Sequence, residues 1–203
     1  MNRVKSEWEA VYDNSFVRLE KALPFDEAMK DPAYRFKWVL KKTVGCKGKF
    51  LDVGCSYGVL CKLASELGFK VYGTDVSQKV IDNIRHNVTS GTFVRTEENS
   101  ALPYADEEFD VVACQELLEH VVEPAALLGE LIRITKKGGK ILLTTPVLKN
   151  YDCPEHLHHF SFCNLTDIFD KYDKQITYKI CRINKFKKDG VSNLFAIEVN
   201  RNE

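Results

Sequence analysis

Phe50-Leu51-Asp52-Val53-Gly54-Cys55-Ser56-Tyr57-Gly58 passes from one structural rhythm to another within nine residues. Phe50 to Val53 is short and mostly apolar, as a strand buried on both faces requires. Gly54 to Gly58 reads as a turn, because glycines lack a Cβ and let the backbone bend sharply and approach a ligand closely. Val59 to Leu67 follows as a helix, whose first N–H groups have no partner within the helix and can receive a carboxylate or phosphate.

The same alternation continues outward. Lys70 to Thr74 reads as a second strand, and Ser77 to Asn87 as a helix with Ser77 as N-cap. Thr92 to Arg95 and Phe109 to Cys114 read as strands three and four. Pro124 to Thr135 reads as a helix closed by Lys136-Lys137-Gly138-Gly139. Lys140 to Thr145 is strand five, and Asn164 to Tyr172 a further helix. Ile176 to Ile183 and Asn193 to Val199 are two strands joined by a loop containing Gly190. Upstream, residues 7–42 read as helical pieces broken at Pro24 and Pro32, with Trp8, Val11, Tyr12 and Trp38 at helical spacing.

Strands alternating with helices imply an α/β, doubly wound, mostly parallel sheet with helices on both faces. The last two strands lack a helix between them and should form an antiparallel hairpin at one edge. Five strands and this hairpin make a seven-stranded sheet. One domain over residues 1–203 is the simplest organisation, with residues 1–45 as an N-terminal helical lid. Such sheets bind ligands at the carboxyl ends of their strands, where strand order reverses.

Asp75 ends the second strand, 17 residues after Gly58. A carboxylate at that place can accept two ribose hydroxyls. Either feature alone also occurs as an ordinary turn or a loop aspartate. Together they indicate an adenosine-containing cofactor.

Beyond this point the motifs resemble a known family. Leu51 to Gly58, Gly73-Thr74-Asp75-Val76-Ser77, Ala101-Leu102-Pro103, Phe109-Asp110-Val111-Val112, Glu116-Leu117-Leu118-Glu119-His120-Val121 and Lys137-Gly138-Gly139-Lys140-Ile141-Leu142 follow in order. The set is similar to the class I S-adenosylmethionine-dependent methyltransferases, in the small-molecule branch that includes ubiquinone-biosynthesis O-methyltransferases. The resemblance covers roughly residues 48–169 and implies a Rossmann-like sheet with S-adenosylmethionine as cofactor and S-adenosylhomocysteine as product. It also implies roles residue by residue. Gly54, Cys55 and Gly58 line the methionine part, and Asp52 sits beneath its amino group. Asp75 holds the ribose, Val76 packs on the adenine, and Asn99 and Ser100 meet the adenine edge. Glu98 or Asn99 stands where an aspartate is frequent. Gln115 lies beside the methionine moiety. Apart from the resemblance, Tyr12 in the N-terminal lid is a candidate to touch the cofactor, and plain packing is the equal alternative for the aromatics there. Ser56 departs from the pattern, since many relatives have glycine there. Serine fits if φ is negative, when its hydroxyl can bond the carboxylate, whereas a positive φ should weaken affinity.

Methyl transfer from a sulfonium is a direct displacement governed by alignment, and a base is needed only if the acceptor must lose a proton. Candidate catalytic residues are Glu116, His120, His158 and His159, in the two segments holding four of the five histidines. The Glu-x-x-Glu-His pattern also resembles the metal motif of small-RNA 3′-terminal 2′-O-methyltransferases, which implies Glu116, Glu119, His120 and His158 or His159 as alternative ligands of a divalent ion. A metal-free acid/base role and simple helix capping fit the same pattern, and the main reading has no metal.

Composition narrows the partners. Twenty-nine basic residues balance 29 acidic ones, so no net field draws the chain to nucleic acid. A basic run, Lys179, Arg182, Lys185, Lys187 and Lys188, reads as a solvated face or as a local lure for an anionic acceptor. Seven cysteines without a Cys-x-x-Cys pair fit reduced thiols in the cytoplasm. No apolar run reaches the ~20 residues of a membrane span, and residues 1–14 lack the apolar core of a signal peptide. The expected partner is a small-molecule methyl acceptor, with the chain a monomer or homodimer. The competing readings are a metal-assisted RNA-end methyltransferase and a non-catalytic, partner-binding subunit. A nicotinamide-dependent oxidoreductase fits the glycine spacing less well.

Overall fold

The computed structural model describes residues 24–97, 100–147, 155–187 and 190–203. Two short helices come first, α1 (Phe25–Lys30) and α2 (Tyr34–Lys42). Pro32 separates them, since a proline disfavours helix in the residue before it. Then follow β1 (Lys49–Val53), α3 (Val59–Glu66), β2 (Lys70–Asp75), α4 (Gln78–Asn87), β3 (Thr92–Arg95) and β4 (Phe109–Gln115). The chain ends with α5 (Pro124–Ile134), β5 (Thr135–Pro146), α6 (Phe162–Phe169), β6 (Ile176–Lys187) and β7 (Gly190–Arg201).

The seven strands form one sheet in the order β3-β2-β1-β4-β5-β7-β6. β1 pairs in parallel with both β2 and β4, and β7 runs antiparallel to both β5 and β6. This is the Rossmann-like, doubly wound sheet with an antiparallel hairpin edge that the sequence implies. Strand order reverses at β1, so a crevice opens beyond the carboxyl ends of β1 and β4.

Alternation along the strands feeds two cores. Leu51, Val53, Val112, Cys114, Ile141 and Leu143 face α5 and α6, where Leu128, Leu131 and Phe169 are fully buried. Phe50, Val71, Val111, Ala113 and Leu142 face the other way, onto Val39 of α2, Leu60 and Ala64 of α3 and Ile84 of α4. Each such side chain contributes roughly 1.5–3 kcal/mol of transfer free energy. Ser77 caps α4 as expected, accepting from the Val80 N–H at 3.2 Å. α6 starts two residues earlier than its pattern suggests, because Ser161 and Asn164 form a reciprocal capping box.

Two local readings change. Lys136 to Gly139 does not end a helix before a new strand. β5 pairs from Thr135, opposite Phe109, and the Gly-Gly stretch is an irregularity in register within that strand. The last hairpin is also longer than its apolar pattern, and Gly190 pairs with Lys187. Backbone pairing continues there beyond the residues that face the core.

Asp110, in the Phe109-Asp110-Val111-Val112 motif, ties this end of the sheet together. Its carboxylate accepts from the Lys49 N–H at 2.7 Å and pairs with Lys136 at 2.7 Å. Gly48 makes room for it, since a Cβ there would lie 2.2 Å from Asp110 Oδ2. The motif therefore does structural work far from the crevice. Among the described residues, no helix is long and apolar enough to cross a membrane. The cysteines described, Cys46, Cys55, Cys61, Cys114, Cys163 and Cys181, are all free thiols.

Candidate active site

The turn after β1 is built on left-handed backbone. Gly54, Ser56 and Gly58 have φ of 77°, 47° and 82°. Gly58 is needed twice over, because a Cβ there would also lie 2.4 Å from Ile84 Cγ1. The N–H groups of Gly54 and Cys55 both donate to the Thr74 carbonyl, at 2.8 and 2.9 Å, fastening the turn to β2. Ser56 thus takes the positive φ, which costs a non-glycine residue roughly 1–2 kcal/mol. What it gains is position: its N–H donates to Asp75 Oδ2 at 3.2 Å, and the Ser77 N–H donates to Asp75 Oδ1 at 3.0 Å. The Asp75 carboxylate is held at the tip of β2 by the backbone of two turns.

This turn opens on a cavity of about 660 Å³, within the usual range for small-molecule sites. Of the residues singled out in the sequence, Gly54, Ser56, Asp75, Val76, Ser100, Gln115, Glu116 and His120 line it. Cys55 and Gly58 shape the turn behind the wall, and Asp52 lies beneath it. Tyr12, Glu98 and Asn99 lie outside the described residues. Gln115 is a fixed part of the wall: its amide donates to the Leu142 carbonyl at 2.8 Å and accepts from Thr144 at 3.2 Å. Leu102 also lines the cavity. Its N–H donates to Glu130 at 2.8 Å and its carbonyl accepts from Arg133 at 3.0 Å, which anchors the Ala101-Leu102-Pro103 motif on α5.

Arg35 is the residue the sequence reading misses. It sits in the first turn of α2 and is the one Lys or Arg among the described residues lining the cavity. Its charge acts on Asp52, Glu116 and Glu119. Its buried Nε has no hydrogen-bond partner, and among the described residues it makes no ion pair. The apolar spacing of Tyr34, Trp38, Val39 and Leu40 marks the packing face of α2 and carries no hint of the cation beside it.

The acid cluster is buried and short of donors. Burial raises the Asp52 carboxyl to about 8, against the counter-effect of the Cys61 thiol at 3.8 Å and of Arg35. Burial likewise raises Glu116, which takes a φ of 53° as the chain leaves β4. Glu119 is raised to about 8, first by burial and then by the charge of Glu116. Its Oε2 accepts from Thr145 at 2.9 Å, while its Oε1 and Glu116 Oε1 are buried without hydrogen-bond partners. Burial lowers His120, which is therefore neutral near pH 7. Its Nδ1 lies 3.1 Å from the Glu155 carbonyl, which can only accept, so the proton sits on Nδ1 and the lone pair on Nε2.

The two histidines picked from the second segment lie away from the cavity. His158 donates from Nε2 to the Val121 carbonyl at 3.0 Å and stacks on Phe160, and His159 is exposed. His156 is the one that meets His120, with ring centroids 4.9 Å apart. Ligand atoms of Glu119, His120 and His156 all lie within 4.8 Å of one another. Of the alternative ligand set named from the sequence, Glu119 and His120 come together with His156, while Glu116 is not part of the cluster and the His158 ring is taken up by the Val121 carbonyl.

Comparison with known proteins fits this geometry. Residues 51–143 match the family model described as a methyltransferase domain. This stretch of the chain, from β1 into β5, is similar to a methyltransferase domain. The ubiquinone biosynthesis O-methyltransferase of Thiobacillus denitrificans is 39% identical over 115 residues, covering 55% of this chain and 50% of that protein. The protein of the same name from Pseudomonas aeruginosa is 34% identical over 115 residues, with the same coverage. The matched region spans about half the length of these curated relatives. Among solved structures, a putative methyltransferase of Haloferax volcanii, crystallised with its Trm112 activator, superposes with a TM-score of 0.75. It is 15% identical, and the match covers 99% of this chain and 98% of that one. Phosphoethanolamine N-methyltransferase 2 of Haemonchus contortus, bound to S-adenosylmethionine, gives 0.68 at 16% identity, over 84% of this chain and 53% of that one.

Proposed function

We propose that the chain binds S-adenosylmethionine in the 660 Å³ cavity and transfers its methyl group to a small-molecule acceptor. The observation that carries this reading is the pairing of opposite charges around one cavity. A carboxylate, Asp75, is presented by two backbone N–H groups, and the Arg35 guanidinium, which has no ion pair among the described residues, lines the same space. Asp75 accepts the ribose hydroxyls. Arg35 takes the carboxylate of the amino acid portion, and the acids around it, Asp52 and Glu116, face the ammonium. Val76 and Ala101-Leu102 border the adenine. The acceptor enters past Glu116, Leu117 and His120. Its nucleophilic atom bonds to the methyl carbon while the carbon–sulfur bond breaks, and the sulfur leaves as a neutral thioether. Where the acceptor carries a proton, neutral His120 is the group placed to take it, because His158 and His159 are turned elsewhere. Free thiols throughout the described chain favour a reducing, cytoplasmic setting.

Calorimetric titration of S-adenosylhomocysteine tests the reading. The wild type should bind at micromolar concentration, and Asp75→Ala should bind far more weakly. Equal binding by both proteins would remove Asp75 from the site.

A second reading is favoured by one observation, the convergence of Glu119, His120 and His156. One carboxylate oxygen and two imidazole nitrogens suit Zn²⁺ or Mn²⁺. An ion held there would act as a Lewis acid toward an acceptor hydroxyl. Metal analysis of the purified protein, followed by methyl transfer with and without chelator, separates the two readings. No bound metal and no chelator effect would leave His120 as a metal-free base.

A further inference from the structure

Arg35 is held over the cavity by the first turn of α2, where Lys37 Nζ pairs with Asp31 Oδ1 at 2.7 Å. No side chain caps the N-terminus of α2, and Arg35 lies in its first turn. The far end is fixed differently. Lys42 Nζ lies 2.6 Å from Glu198 Oε2 on β7. Lys140 Nζ on β5 lies 3.5 Å from Glu198 Oε1 and donates to the Lys42 carbonyl at 3.3 Å. One carboxylate thus joins the last residue of α2 to two strands of the sheet. The side chains of Lys42, Lys140 and Glu198 are 33%, 29% and 17% exposed, so solvent screens this junction less than a surface pair. Burial would raise the Glu198 carboxyl, but the two lysines hold it below the usual glutamate range. Glu198 lies outside the cavity.

We infer that Glu198 is a positioning residue for recognition of the cofactor's amino acid portion, acting through α2 on Arg35. Lys42 is seven residues from Arg35, two helical turns or roughly 10 Å along the axis. Val39, fully buried between them, sets which face of the helix points down. An apolar contact permits sliding and rocking that a hydrogen-bonded charge junction does not. The junction therefore sets how far α2 reaches toward the crevice, and with it where the guanidinium sits. The inference rests on Arg35 binding the cofactor carboxylate, and it extends the site to a residue on β7, a strand that does not line the cavity.

Two ligands make the test specific. S-adenosylhomocysteine carries the carboxylate, while 5′-methylthioadenosine keeps the adenosine and sulfur but lacks the amino acid portion. Affinities are measured by calorimetry for wild type, Arg35→Ala, Glu198→Gln and the double variant. A second release of the junction, Lys42→Met, guards against a defect peculiar to the Gln variant, and thermal unfolding checks that each protein is folded. Arg35→Ala should weaken S-adenosylhomocysteine about 10- to 100-fold, the range for losing a charged hydrogen-bonding partner, and leave methylthioadenosine within about twofold. Glu198→Gln and Lys42→Met should each weaken S-adenosylhomocysteine by roughly 3- to 10-fold, again sparing methylthioadenosine. Glu198→Gln should add nothing once Arg35 is gone, because coupled residues are non-additive. Equal weakening of both ligands by Glu198→Gln would mark a merely structural role and overturn the inference, as would no effect. If Arg35→Ala treats both ligands alike, the reading of Arg35 itself fails, and the positioning role falls with it.

Discussion

The two halves of the cavity are made from different materials. The half beneath β1 and β2 is made of backbone: left-handed turns at Gly54, Ser56 and Gly58, and two N–H groups fixed on Asp75. The half beyond β4 is lined by side chains, Glu116, Leu117, His120 and Glu155, with Glu119 and His156 gathered against His120 from segments some 35 residues apart. Backbone geometry is dictated by short contiguous motifs and tolerates few residue types. Side-chain clusters depend on how distant segments happen to meet, and the same residues can carry a proton, a metal or nothing. On the proposed function, the first half binds the cofactor and the second faces the acceptor.

The largest expected effect lies in the first half. If Asp75 holds two ribose hydroxyls as proposed, each charge-assisted bond is worth about 1.5–3 kcal/mol, so Asp75→Ala should lower S-adenosylhomocysteine affinity by roughly 100-fold or more. Loss of less than about tenfold in calorimetry would break the contrast, since the backbone-built half would then not depend on its fixed carboxylate.

In the second half the contrast sharpens into a choice among histidines. His120→Ala should lower kcat by about 10²- to 10⁴-fold with a proton-bearing acceptor while leaving cofactor affinity nearly unchanged. His159→Ala, exposed and away from the cavity, should change neither. A large loss from His159→Ala with His120→Ala silent would reverse the assignment.

Asp52, beneath both halves, gives a pH signature. Its carboxyl is raised to about 8 in the fold by burial, against about 3.9 in an unfolded chain. Between these values the unfolded chain has lost a proton that the folded protein keeps. Stability from this group is therefore full below about pH 4 and declines as pH rises toward 8. Glu119 acts in the same direction, so the comparison with Asp52→Asn isolates the one group. From pH 5 to 8 the wild-type thermal midpoint should drop relative to the variant by several degrees, at about 2–4 °C per kcal/mol for a chain of this size. Parallel curves would mean that Asp52 is ionised in the folded protein.

Ser56 carries the smallest effect. Glycine at this position relieves the positive φ but adds freedom to the unfolded chain, and the two terms nearly offset. Ser56→Gly should raise the midpoint by about 1–3 °C and change affinity by less than about twofold. The weaker affinity that the sequence associates with a positive φ at serine would show instead as tighter binding by the glycine variant.

What was legible in the sequence follows the same division. Leu51 to Gly58 and Asp75 revealed the sheet and its crevice because their geometry is encoded locally. Asp110, conspicuous in its motif, proves to brace the sheet, since a sequence pattern does not say at which end of a strand a residue works. Arg35 was not legible, because α2 is read by its apolar face and the cation lies beside that face. His158 and His156 exchanged places for an equally physical reason. Spacing alone does not distinguish the two rings; the Val121 carbonyl, accepting from His158 Nε2, holds that ring away while His156 meets His120.

The proposed binding mode places the adenosine end at Asp75 and the amino acid end at Arg35 in one cavity. A crystal structure of the full chain with S-adenosylhomocysteine tests it most directly. Both ribose hydroxyls should lie on the Asp75 carboxylate, and the homocysteine carboxylate within about 4 Å of the Arg35 guanidinium. A ligand bound with its carboxylate on another group, or outside the crevice between β1 and β4, would contradict it.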